Sequence, residues 1–175
     1  AYLIRFQTVN ASRHERFTML DYADRPYRPC VGICLVNDEG LIFAGRRIDN
    51  RAEAWQMPQG GIDEGEDVMT ACFREMGEEI GTDKADYITE HSEWLNYDIP
   101  QALADKLWHG TFRGQAQKWV LLRYKGSDED INIQTAEPEF EAWQWMSPEQ
   151  LIEAAVPFKK DLYQTIMASF ASHLS

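Results

Sequence analysis

Only three cysteines and four histidines occur among 175 residues. Cys30, Cys34 and Cys72 are odd in number, and Cys30 and Cys34 stand four apart in what reads as a strand, roughly 13 Å from each other. That excludes a disulfide between them and a disulfide-built scaffold, and fits a reducing cytoplasm. With no histidine nearby, the CxxxC spacing does not make a soft-metal site. Basic residues are also scarce: 17 Lys and Arg against 29 Asp and Glu leave a net charge of -12. A protein that coats nucleic acid, double-stranded DNA included, needs a broad basic surface, so that class is excluded. No run approaches the roughly 18 apolar residues of a membrane span. Nucleotides stay open, because a divalent cation and a few basic groups can reverse the local field of an acidic protein.

What is present is 44% hydrophobic residues over a length usual for one domain. Residues 1–25 read as an N-terminal extension and 26–175 as the folded domain. Within the extension, residues 1–18 carry Arg5, Arg13, His14 and Arg16 with a single acid, Glu15, and no clear period. They read as a targeting remnant or a non-native lead, with Met19 as a candidate start. Residues 31–36 and 41–45 are apolar runs around the turn residues Asn37, Asp38, Glu39 and Gly40, which predicts a hairpin. Residues 55–61 hold too much Pro and Gly for a regular element and read as a shaped loop. From 67 to 80, Met69, Phe73, Met76 and Ile80 repeat at helical spacing, and Gly81 follows as a stop. Strands are expected at 87–95, 118–124 and 141–146. Ser147-Pro148-Glu149-Gln150 has the form of a capped helix start. After Pro157, the residues Phe158, Leu162, Ile166, Met167 and Phe170 trace the buried face of a last helix. Strands mixed with helices point to an α/β or α+β sandwich.

Glu75, Glu78 and Glu79 fall at i, i+3 and i+4, so they share an arc of about 100° on the helix, bordering its apolar stripe. The like-charged pair Glu75 and Glu79 alone costs about a few tenths of a kcal/mol on an isolated helix. A hard divalent cation offsets this, because Mg²⁺ takes oxygen ligands and leaves positions for phosphate oxygens. By itself a Glu-rich segment reads as a solvated face, but the surroundings reverse that. Gly60, Glu66 and then Arg74-Glu75-Met76-Gly77-Glu78-Glu79-Ile80-Gly81 stand at the spacing of the Nudix box, which this segment resembles at every fixed position except Thr82, where an aliphatic residue is usual. That departure touches packing and not chemistry. The resemblance implies that Glu75, Glu78 and Glu79 bind Mg²⁺, with Mn²⁺ as substitute, and that Gly60 adds a backbone carbonyl. It implies that Glu66 and Arg74 hold the loop on the helix, and that a positioned water cuts a phosphoanhydride bond.

The likeness continues outside the box. Tyr27-Arg28-Pro29, residues 55–61, Trp94-Leu95-Asn96-Tyr97, residues 114–119, Pro138-Glu139-Phe140 and Phe158-Lys159-Lys160 resemble the bacterial RNA pyrophosphohydrolases and the plant-type diadenosine tetraphosphate hydrolases. The implied fold is an α/β/α sandwich with a mixed sheet. Glu139 is implied as a carboxylate outside the box, metal ligand or general base, or else it is a surface glutamate beside a strand. Arg28 and Phe158 are implied to sandwich a base, flanked by Val156 and Lys159, although Phe158 could simply open the buried face of the last helix. Gln115 is implied at the nucleotide, with Lys118 or Tyr97 at phosphate. Strand alternation puts Lys118 on the face opposite Gln115 and Gln117, and both Lys118 and Tyr97 have structural alternatives. Arg25, Arg28, Arg113, Lys159 and Lys160 are candidates for a basic rim. The expected substrate is the 5′ end of RNA, or alternatively a dinucleoside polyphosphate. A dead nucleotide-binding module is disfavoured by the intact glutamates, and sanitising damaged nucleoside triphosphates by the motifs outside the box.

Overall fold

The computed structural model describes residues 19–49 and 54–174. The readings of residues 1–18 lie outside these. Strand β1 (Tyr27–Val36) is almost entirely apolar because both its faces are covered. It runs parallel to β7 (Gly114–Tyr124), in register from Tyr27 opposite Gly114 to Val36 opposite Arg123. The other pairings are antiparallel. Strand β2 (Ile42–Arg47) follows β1 through a turn in which the Asn37 side chain accepts from the Glu39 and Leu41 amides. Gly40 takes φ +76 there, a conformation that favours glycine. Strands β3 (Trp55–Gln56) and β8 (Phe140–Met146) flank β2, β4 (Gln59–Gly61) lies on β1, and β5 (Ala85–Glu90) and β6 (Leu95–Asp98) lie on β7.

Alternation sorts the apolar residues onto two sides. Val31, Ile33, Leu35, Val120 and Leu122 meet Ala71, Cys72, Met76 and Ile80 of helix α1 (Val68–Ile80). Cys34, Val36, Trp119 and Leu121 meet Leu151 of α3 (Pro148–Ala154) and Leu162, Tyr163, Ile166 and Phe170 of α4 (Lys160–Phe170). A short α2 (Gln101–Ala104) lies between β6 and β7. The result is an α/β/α sandwich. Each large side chain fully buried this way contributes about 1.5–3 kcal/mol relative to exposure.

Residues 55–61 differ from the loop expected of them. Gln59, Gly60 and Gly61 pair with Gly32, Val31 and Cys30, and the Pro58 carbonyl still accepts from the Ile33 amide at 2.9 Å. The run thus holds two short strands, β3 and β4, on either side of Met57 and Pro58, and side chains from elsewhere fill the space the glycines leave. The span 87–95 divides into β5 and β6, and β7 begins at Gly114 instead of 118. Phe158 is not on the buried face of α4: Pro157 opens a separate 3-10 turn, Pro157–Lys159, that leaves Phe158 41% exposed. Residues 22–25, assigned to the extension, pack on the fold: the Tyr22 hydroxyl donates to the Ile99 carbonyl, and buried Arg25 pairs with Asp105 at 2.6 Å.

Candidate active site

Helix α1 is set by local chemistry at both ends. The Asp67 side chain accepts from the Thr70 amide at 2.7 Å, and Gly81 turns left-handed at φ +75. Its buried face differs from the expected stripe. Met69 and Phe73 are only partly covered, whereas Glu75 and Glu79 are 3% and 2% exposed, in line with Cys72 and Met76. Two of the three glutamates therefore sit inside the stripe rather than beside it, and Glu78 stays half-exposed.

The loop before the helix is tied to it by one guanidinium. Arg74 donates from Nε and Nη2 to the two Glu66 oxygens, both at 2.8 Å, and from Nη2 to the Gly61 carbonyl at 2.9 Å. Its Nη1 reaches Glu75 Oε1 at 2.9 Å and Glu78 Oε2 at 3.3 Å. The Arg74 fork holds the Glu66 carboxyl at about 2, well below its usual range. On β4, Gly60 faces α1, and a β-carbon there would fall inside the Glu75 carboxyl group. Gly60→Ala is therefore expected to push Glu75 off its position and lower kcat by about a hundredfold, the scale of losing one well-placed electrostatic contact. Steady-state rates with circular dichroism as a folding check measure this; an active, folded variant would mean that Glu75 can shift without consequence.

Glu139 precedes β8 and meets the helix from across the sheet. The Glu79 group is held well above the usual carboxylate range, first by burial, then by the negative charges of Glu139 and Glu75. Glu75 is raised too, chiefly by burial and partly opposed by Arg74. Glu75 Oε2 is buried without a hydrogen-bond donor among the described residues. Converging buried carboxyls that resist ionisation are a donor set suited to a hard divalent cation, which favours their charged forms. No group of three such side chains among the described residues is already drawn to metal-ligating geometry. Arg74 occupies one oxygen each of Glu75 and Glu78. A cavity of about 550 Å³ opens beside these groups, lined by Arg74, Glu78, Glu79, Asp83, Thr135 and Glu139 among others.

The opposite face of the same strands is polar in one place. Arg28 on β1, Gln115 on β7 and Tyr97 on β6 stand in register across three adjacent strands. The Tyr97 hydroxyl donates to Gln115 Oε1 at 2.9 Å, and Gln117 Nε2 donates to Gln115 Oε1 at 2.8 Å and Gln59 Oε1 at 2.7 Å. The Trp119 indole closes the chain by donating to Gln117 Oε1 at 2.9 Å. All three glutamines are buried. Phe158 lies at the Tyr97 end, ring centroids 6.0 Å apart. Lys159, 3% exposed, aims its ammonium at Gln56 Oε1 (3.4 Å) and the Tyr97 ring. Val156 opens this turn, accepting from the Lys159 amide.

Lys118 is not brought to this row. It points to the other face, where its ammonium donates to the Ser92 carbonyl at 2.9 Å and neighbours Glu90. The expected basic rim also shrinks, since Arg25 is committed to Asp105, Arg113 to Asp98, and Lys159 is inside. Thr82 is buried, its hydroxyl accepting from the Lys84 amide. Sequence reasoning missed the parts of Gln56 and Gln59; the Gln-Met-Pro-Gln run was in view, but only the strand pairing shows which way the amides face.

A family model described as the NUDIX domain matches residues 26–166. A Roseobacter denitrificans protein named RNA pyrophosphohydrolase is 49% identical over 156 residues, spanning 88% of this chain and 98% of its own. One of the same name from Rickettsia africae is 51% identical over 149 residues, spanning 85% and 92%. Among solved structures, a C. elegans Ap4A hydrolase binary complex superimposes with a TM-score of 0.59 at 21% identity, over 83% of this chain and 98% of its own. The E. coli dihydroneopterin triphosphate pyrophosphohydrolase gives 0.62 at 17%, over 81% and 97%. At such identities these two show the fold alone.

Proposed function

The chain belongs to the Nudix hydrolase family, enzymes of pyrophosphate bonds, and from that premise we propose that it converts 5′-triphosphate RNA ends to 5′-monophosphate. The observation that carries this reading is the identity of about half its residues with RNA pyrophosphohydrolases over nearly their whole length. Nudix hydrolases are generally dependent on a divalent metal. We take it as Mg²⁺, with Mn²⁺ as substitute; bound, it would neutralise charge on phosphate oxygens and acidify the attacking water. Glu75, Glu79 and Glu139 would hold it, with Glu78 released from Arg74 and the Gly60 carbonyl as further donors. Glu139 serves either as ligand or as the base that takes the water proton.

The terminal base would lie across Gln115, between Arg28 and Phe158. Neighbouring strands are about 4.8 Å apart, so β1 and β6 are separated by about 10 Å. A base held between two faces needs about 7 Å. Such stacking accepts any base, which suits an enzyme that reads an end and not a sequence. Lys159 would then meet the phosphates between the base and the glutamates. Three buried, unpaired thiols fit the cytoplasm as the site of action.

The test compares kcat/KM for 5′-triphosphate RNA and for diadenosine tetraphosphate with Mg²⁺. RNA is expected to win by more than about tenfold, or 1.4 kcal/mol of transition-state preference. A preference for the dinucleotide overturns the RNA assignment and makes the chain a dinucleoside polyphosphate hydrolase.

A further inference from the structure

We propose that Trp108 is the positioning residue for Arg28, backing its guanidinium so that the opposite face is presented as a flat platform for the terminal base. This rests on the base-stacking reading above.

The first observation concerns how Arg28 is held. Arg46, Arg47, Arg74 and Arg113 all reach carboxylates within 3 Å. Among the described residues no carboxylate pairs with Arg28. Its Nη1 makes one long contact to the Cys30 sulfur at 3.8 Å, and its guanidinium lies 4.9 Å from the centre of the Trp108 ring. A carboxylate would fix the plane of a guanidinium but neutralise it and consume its donors. An aromatic face fixes the plane while leaving the charge, the far face and the N–H edge uncommitted.

The second observation is how Trp108 is delivered. Trp108 and His109 have φ of 47 and 57, followed by Gly110 at 69, three successive residues in the left-handed region. Side chains other than glycine, asparagine and aspartate adopt it rarely, and a bulky pair does so only where the surroundings enforce it. The surroundings here are buried Leu107 and Gly110, the Thr111 amide donating to the Trp108 carbonyl at 3.1 Å, and the Phe112 ring edge-on to the indole at 5.9 Å. The turn thus holds a tryptophan against a guanidinium that no carboxylate among the described residues orients.

The third observation is the space around Arg28. A β-carbon on Gly61 would clash with its Nη2, so glycine at this strand position leaves the space the guanidinium occupies. Trp108, Arg28, a base and Phe158 would then form one continuous stack over Gln115, with Phe112 edge-on behind the indole.

The experiment measures kcat and KM on 5′-triphosphate RNA, with Mg²⁺, for the parent, Trp108→Leu, Trp108→Phe, Arg28→Ala and the double variant Arg28→Ala/Trp108→Leu. Leucine fills the space without an aromatic face, and thermal unfolding checks each fold. Trp108→Leu is expected to raise KM about five- to tenfold with kcat nearly unchanged, and Trp108→Phe to restore most of the loss. The double variant should be no worse than Arg28→Ala, because one residue acts through the other. Additive losses, a fall in kcat alone, failure of phenylalanine to rescue, or a lowered KM, which would make Trp108 a competitor of the base, each overturn the proposal. If Arg28→Ala itself leaves KM unchanged, the base-stacking reading fails and takes this proposal with it; that outcome is distinct from a large Arg28 effect that Trp108 does not share.

Discussion

Glu79→Gln is expected to lower kcat by about a thousandfold while leaving the metal-free protein as stable as the parent or more so, and this pairing of effects is the informative part. Glutamine keeps the shape of the side chain and removes its charge at the point where Glu75 and Glu139 converge. Catalysis is lost because the cation and the phosphate charge it neutralises are no longer held. Stability is not lost, because the carboxyl is buried and its charged form is disfavoured in the folded chain. The sign follows from linkage. A carboxyl raised in the folded state stabilises below its unfolded value of 4.5, and that contribution disappears as pH rises through the raised value. At neutral pH the parent without metal therefore carries a strain that the amide lacks. Saturating Mg²⁺ should stabilise the parent, by about 2.7 kcal/mol at a hundred times its dissociation constant, and the variant far less. Calorimetry with and without Mg²⁺, beside initial rates, measures both. A variant that loses its fold and its activity together would return Glu79 to a structural role.

How much of this was legible in the sequence depended on how local each cause is. Helix α1 could be read because Asp67 and Gly81 cap it with their own chemistry, and the capping box at Ser147 and Gln150 works the same way. The spacing of Glu75, Glu78 and Glu79 was legible too. Their burial was not, since hydropathy assigns glutamate to the outside and sees no reason to turn Met69 and Phe73 partly outward. The carboxyl that Glu75 and Glu79 converge with also comes from far along the chain: Glu139 reaches α1 because β8 pairs with β2. Strand β4 was hidden for a related reason: its glycines look like loop until the Glu75 carboxyl and the Arg28 guanidinium are seen to occupy the places of their missing side chains. Alternation along β7 did separate Lys118 from Gln115 and Gln117. The row from Arg28 to Tyr97 needed the register of three strands, which no local pattern carries.

Lys159→Met should strengthen the fold and weaken the enzyme at once. Burial lowers the Lys159 ammonium to about 7, helped by the charge of Arg47 and opposed by that of Glu79. Below about pH 7 the amine is charged in both the folded and the unfolded chain, so the full cost of burying the charge is present. Between about 7 and the ordinary 10.5 the folded protein gives up the proton while the unfolded chain keeps it, and stability rises with pH across that window. Methionine has neither the charge nor the titration. Its melting temperature should therefore exceed the parent's most at or below pH 7, with the gap closing toward pH 9. Taking the difference between the two proteins cancels the other groups that titrate in that range. Activity should move the opposite way. Phosphates restore the proton to Lys159 by favouring its charged form, so the parent's KM should climb between pH 7 and 9 while that of the variant, already raised, changes little. A tenfold to hundredfold loss in kcat/KM at pH 7 is expected, about 1.4–2.8 kcal/mol, the scale of a charge-assisted contact in a dry site. A stability gap that stays constant with pH would mean that the lysine keeps its proton in the folded chain throughout, and an unchanged KM would remove it from the path of the phosphates.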